Sequence, residues 1–151
     1  MPDTDTPAFR RAVVALNGGS SDARIVRLVV GRATKGVEVI AVHVVEIDWT
    51  LPLDADIAGR SEEVQRVLDS AEAIAEEHKI VMEPVLLQAR DVGAALVDEA
   101  TERGADLLVV GLPYRQRFGG EFDIGRTVPY ILQNAPCAVW VVREPMSEEP
   151  S

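Results

Sequence analysis

Short apolar runs alternate along the chain with longer segments in which apolar residues return every three or four positions. The runs predict strands buried on both faces, and the spaced segments predict helices with one apolar stripe. RAVVAL, residues 11–16, is the first run and stops at Asn17-Gly18-Gly19, a turn. Ser20, Ser21 and Asp22 are helix-capping types, and Ile25, Leu28 and Val29 mark one face of a helix that Gly36 closes. A second strand is expected over 37–45 (VEVIAVHVV). The loop after it carries Trp49, Leu51, Leu53 and Ile57, which pack on the domain or cover a ligand. Ser61 opens a helix whose stripe is Val64, Val67, Leu68, Ala71, Ile74 and Ala75, with His78 and Lys79 in its last turn, where positive charge suits the dipole. Strand 80–88 follows, then a helix capped by Asp91 and ended by Gly104, then strand 105–110 (ADLLVV). A short helix over 128–133, capped by Thr127 and stopped by Pro136, leads into a last strand that runs from Cys137 to Val142.

The order β-α-β-α-β-α-β-α-β implies an α/β fold, a doubly wound five-stranded parallel sheet with helices on both faces. One domain over 10–144 is expected, with frayed ends at 1–9 and 145–151. No apolar run reaches the roughly 20 residues of a membrane span, and no secretory leader is visible, so membrane insertion is not expected. A single cysteine, Cys137, rules out an internal disulfide and a cysteine-built metal site, and suits the cytoplasm. At a net charge of −10 the chain repels nucleic acid, and none is expected as a partner. The local exception is the stretch from Gly111 to Tyr130, which holds Arg115, Arg117 and Arg126.

In an open α/β sheet, ligands bind beyond the carboxyl ends of the strands, where strand order reverses. The first and fourth strands both end in glycine, at Gly18-Gly19 and at Gly111. A helix start near Thr127 adds free N–H groups to an anion or nucleotide site. Neither a phosphate loop with its lysine nor a G-x-G-x-x-G after the first strand is present. Candidates for catalysis are poor. His43 lies mid-strand as a structural histidine, His78 sits at a helix end, Cys137 reads as a core residue, and no metal site is indicated. Only Glu121 and Asp123 stand in the loop to support slow ATP hydrolysis, so no catalytic residue is expected.

Three motifs together, VVALNGGSSDA, VEVIAVHVVE, and ADLLVVG followed at a distance by GRTVPYILQNAPCAVWVV, resemble the universal stress protein family over nearly the whole chain. The resemblance implies strand order 3-2-1-4-5, a homodimer through the last strand, and one class that binds ATP or AMP while another binds none. It places the nucleotide against Ala15, Leu16, Asn17, Val44, Val110, Gly111, Gly125, Arg126, Thr127 and Val128, with Mg²⁺ accompanying ATP. The family's binding pattern, G-x2-G-x9-G-[ST], is altered here. Gly111 and Gly125 match its first and last glycines, Tyr114 replaces the second, the gap is one residue longer, Arg126 stands for the hydroxyl residue, and Asn17 for an aspartate. Tyr114 is expected to crowd the phosphate path, and Gly119-Gly120 to form a nest further along. The stretch also resembles the variant of this domain fused to amino-acid permease-type transporters. The alternative is therefore an interaction module without nucleotide, with Tyr114, Arg115, Arg117 and Phe118 as its surface, serving a protein partner or transporter.

Overall fold

The computed structural model describes residues 8–52, 61–114 and 124–146. Nine elements alternate along the chain: β1 (Arg11–Leu16), α1 (Ser21–Arg32), β2 (Glu38–Glu46), α2 (Ser61–Glu77), β3 (Met82–Ala89), α3 (Val92–Arg103), β4 (Leu107–Leu112), α4 (Thr127–Asn134) and β5 (Ala138–Arg143). All strands pair in parallel, in the order β3-β2-β1-β4-β5.

The central strands β1, β2 and β4 are apolar through most of their length because the sheet has a core on each side. Ala12, Val14 and Leu16 of β1 join Val39, Ala41, Leu107 and Val109 under α1 and α2. Val13 joins Ile40, Val42, Leu108 and Val110 under α3 and α4. Alternation of side chains along each strand produces this division. Pro84 lies on β3, an edge strand, where its missing N–H leaves no central ladder bond unmade.

Several boundaries differ from the sequence expectation. β3 begins at Met82, because Ile80 N–H still donates to Ala75 O and Lys79 takes φ 57° to close α2. His78 lies just past α2, and its Nδ1 sits 3.0 Å from Ile74 O as a helix-end group. β4 is shifted from 105–110 to Leu107–Leu112. Asp106 precedes it as an anchor, accepting from Arg10 N and Arg11 N at 2.8 and 2.9 Å, while Gly111 and Leu112 pair with Val142 and Arg143. α1 ends at Arg32, short of Gly36, which instead supplies a φ of 92° in the turn before β2. Cys137 lies before β5 and is half-buried against the α3–α4 core, so it is not a full core residue. Phe9, expected in a frayed end, is buried and meets the Trp140 ring edge-on at 5.6 Å. Trp49 is 78% exposed and is not part of the core, with the Arg90 guanidinium over its ring at 5.0 Å. Calls on Leu53, Ile57, Arg115, Arg117, Phe118, Gly119, Gly120, Glu121 and Asp123 lie outside the described residues.

Candidate functional site

Strand order reverses between β1 and β4, since β1 leads outward to β2 on one side while β4 leads to β5 on the other. Their carboxyl ends therefore part, and a cleft of about 390 Å³ opens there. Ala15, Leu16 and Asn17 form its β1 wall, and Val110 and Gly111 its β4 wall. Gly125, Arg126, Thr127 and Val128 close it at the start of α4. Val44 is not part of this cleft. Its side chain is buried, and it borders an adjoining depression beside His43 and Glu63 that shares Asn17 and Glu46 with the cleft.

The cleft also takes in Glu46, Val92, Leu96, Leu112, Pro113 and Ile124, which sequence reasoning missed. The apolar members come from α3, from the exit of β4 and, at Ile124, from just before α4, and their spacing in sequence signals only core. Glu46 brings a carboxylate to the rim opposite Arg126.

The turn after β1 is locked from within. Asp22 accepts from Asn17 N at 3.0 Å and from Gly18 N at 2.8 Å. Asn17 Oδ1 accepts from Gly19 N at 2.7 Å, which leaves the Asn17 side chain its amide donors for a ligand. Burial pushes the Asp22 carboxyl above its ordinary value, against the opposing pull of those two amides and of His43. The signal for Asp22 was its place just after a glycine turn, but only the folded turn shows which amides it takes. His43 Nδ1 donates to Leu16 O at 3.1 Å, consistent with a structural histidine.

Gly111 has a packing reason. A Cβ there would lie 2.7 Å from Ser21 Cβ, so β4 and the start of α1 approach too closely for a side chain. Ser21 is itself fixed, because its hydroxyl and that of Ser20 both donate to Glu144 Oε1, at 2.5 and 2.6 Å. Gly125 takes φ 73° to turn the chain into α4. The N-cap of α4 is Arg126 rather than Thr127, and the Arg126 side chain makes no capping bond to this end. By contrast, Asp91 caps α3 through Ala94 N at 3.1 Å. The Arg126 guanidinium has no ion pair among the described residues.

Tyr114 does not crowd the cleft. Arg143 at the end of β5 stands over its ring at 5.0 Å, and the tyrosine is absent from the cleft walls. Among the described residues no group of three His, Cys, Asp or Glu could hold a metal, and no helix is long and apolar enough to cross a membrane.

The family model described as the universal stress protein family matches residues 8–143. A sensor protein KdpD of Mycobacterium tuberculosis is 31% identical over 145 residues, covering 95% of this chain and 16% of that protein. The chain thus spans under a fifth of the length of the curated relatives it matches. A universal stress protein from Archaeoglobus fulgidus superposes with a TM-score of 0.69 at 25% identity, over 87% of this chain and 97% of that one. A structure from the same organism in complex with dAMP gives 0.65 at 21% identity, over 91% and 99%.

Proposed function

The chain belongs to the universal stress protein family, and from that premise we propose that it is a cytoplasmic sensor or regulatory domain that binds an adenine nucleotide, AMP or ATP, in the cleft between β1 and β4. The observation that carries this reading is the convergence of Ala15–Asn17, Val110–Gly111 and Gly125–Val128 on one cleft at the reversal of strand order. The similar fold from Archaeoglobus fulgidus holds dAMP. The start of α4 and Arg126, which has no ion pair among the described residues, would receive phosphate, and the walls at Val92, Leu96 and Val110 would receive adenine. If ATP binds, Mg²⁺ would ride on its phosphates. The test is mass spectrometry of small molecules released on denaturing the freshly purified protein, backed by a thermal shift with AMP and with ATP and magnesium. Near-stoichiometric adenine nucleotide supports the reading. An empty protein with no shift in either nucleotide removes it.

A second reading is favoured by the two glycine positions. Gly111 is required by its contact with Ser21, and the amides of the Gly18 turn are taken by Asp22, so neither needs a ligand to explain it. The domain would then act as an interaction module for a protein partner such as an amino-acid permease-type transporter. In either reading a homodimer through the open edge of β5 is expected. Val141 on that edge and Leu132 on the adjoining α4 are both exposed, and an unpaired apolar edge favours self-pairing. Sedimentation of a monomer at micromolar concentration would contradict it.

A further inference from the structure

A second depression, about 660 Å³, lies beside the nucleotide cleft where β2 and β3 end. The two are continuous, because Glu46 and Arg126 line both. Each is within the range of roughly 300–1,000 Å³ that holds a small organic ligand. The floor of the second is an aromatic platform. Trp49 stands 78% exposed, and the Arg90 guanidinium stacks on its ring at 5.0 Å. Arg90 is itself tied down, donating through Nη1 to Asp48 O at 2.7 Å. Asp48 is held by Thr50 N–H and hydroxyl, both at 2.9 Å. An indole supported on one face and open on the other is the arrangement that stacks a flat heterocycle.

We propose that this second cleft takes a second nucleobase, so that the ligand of the whole site is a dinucleotide with one base between β1 and β4 and the other on Trp49. The inference rests on the nucleotide reading of the first cleft. Arg126, common to both clefts, meets the phosphate that joins the two nucleosides. The charge balance favours a diester link over a polyphosphate. The second cleft has two arginines against the carboxylates of Glu46, Asp48 and Asp91, so it offers little for extra phosphate charge. Its carboxylate at Glu46 accepts from ribose hydroxyls or an exocyclic amine instead.

The experiment is a calorimetric titration of the full chain with AMP and with the dinucleoside monophosphate adenylyl-(3′→5′)-adenosine, repeated on Trp49→Ala and Trp49→Phe. The dinucleotide is expected to bind about tenfold or more tightly than AMP, the scale of one stacked base. Trp49→Ala should bring it down to the level of AMP without changing AMP itself, and Trp49→Phe should keep most of the gain. Quenching of indole fluorescence by the dinucleotide and not by AMP should be lost in Trp49→Ala. The high exposure of Trp49 keeps both variants foldable. AMP binding with no advantage for the dinucleotide overturns the proposal and leaves the nucleotide reading standing. A dinucleotide advantage that survives Trp49→Ala also overturns it, and binding of neither ligand overturns both readings.

Discussion

Replacing Gly111 by alanine would set a methyl carbon 2.7 Å from Ser21 Cβ, 3.4 Å from its hydroxyl and 3.5 Å from Ile25 Cγ2. Two carbons in ordinary contact sit about 3.5–4.0 Å apart, so the first of these distances must open by about an ångström. Neither side yields easily. Ser21 begins α1 and is hydrogen-bonded to Glu144, and Gly111 is paired in the sheet with Val142. Overpacking of this kind costs typically 1–3 kcal/mol. At about 2–4 °C per kcal/mol for a chain of this size, Gly111→Ala should lower Tm by roughly 4–8 °C for a 2 kcal/mol loss. Urea denaturation of the variant and of a Ser21 series locates the cause. Ser21→Ala keeps the offending carbon and should add its own loss to that of Gly111→Ala. Ser21→Gly removes it, and the double variant should recover about 1–2 kcal/mol relative to the sum of the singles. Unchanged stability in Gly111→Ala, or equal behaviour of the two Ser21 partners, would refute the packing account and return Gly111 to a purely ligand-binding role.

Arg126→Ala should weaken ATP binding by about tenfold or more, the worth of a charge-assisted hydrogen bond, while leaving adenosine nearly unchanged; equal loss for both removes its phosphate role. Asp22 titrates above its ordinary value of 3.8 in the folded chain, so its contribution to stability is fully present below pH 3.8 and is lost as pH rises through the folded-state value. Asp22→Ser should therefore flatten the pH dependence of urea stability above pH 3.8, and parallel profiles for the two proteins would contradict the shift. Burial first, and then Asp106, push the Cys137 thiol up, so iodoacetamide at neutral pH should modify it more slowly than an unhindered thiol; a rate equal to that of a free cysteine peptide would show the site to be open.

The parts of the fold that were legible are those in which local sequence and burial agree. β1, with apolar residues through RAVVAL, is buried by helices on both faces, and Asp91 and Gly104 cap α3 as their residue types suggest. The cleft was legible wherever it is built from strand ends, because parallel topology alone brings β1 and β4 together. What was not legible depends on partners far away in sequence. Tyr114 was expected in the phosphate path, but its ring lies under Arg143, which the sheet places at the end of the neighbouring strand. Val44 was expected to face adenine through its backbone, and the register that pairs Leu16 with His43 sends its side chain into the core, a placement that only the folded sheet reveals. Phe9 reads as part of a polar tail until Trp140, at the other end of the chain, supplies its ring contact. Trp49 was expected to pack on the domain or to cover a ligand, but nothing local announces that Arg90 will stack on it.

The locked turn after β1 also decides where an anion can be received. In a doubly wound sheet both the first glycine turn and a later helix start are available for phosphate. Here the first is already occupied by an anion belonging to the chain. The Asp22 carboxylate holds the amides of Asn17 and Gly18, and Asn17 Oδ1 holds the amide of Gly19. A phosphate entering that turn would have to displace a carboxylate bound at an effective concentration no free ligand matches, and would leave it charged and partly buried beside the incoming charge. The start of α4 presents the opposite case. Its N-cap side chain makes no capping bond, it begins beyond a glycine at positive φ, and it carries Arg126. On the nucleotide reading proposed above, negative charge on the ligand would be received at the α4 side of the cleft, with its sugar against Asn17 and the β1 end. That orientation points whatever lies beyond the phosphate toward Arg126, and so toward the shared boundary with Trp49.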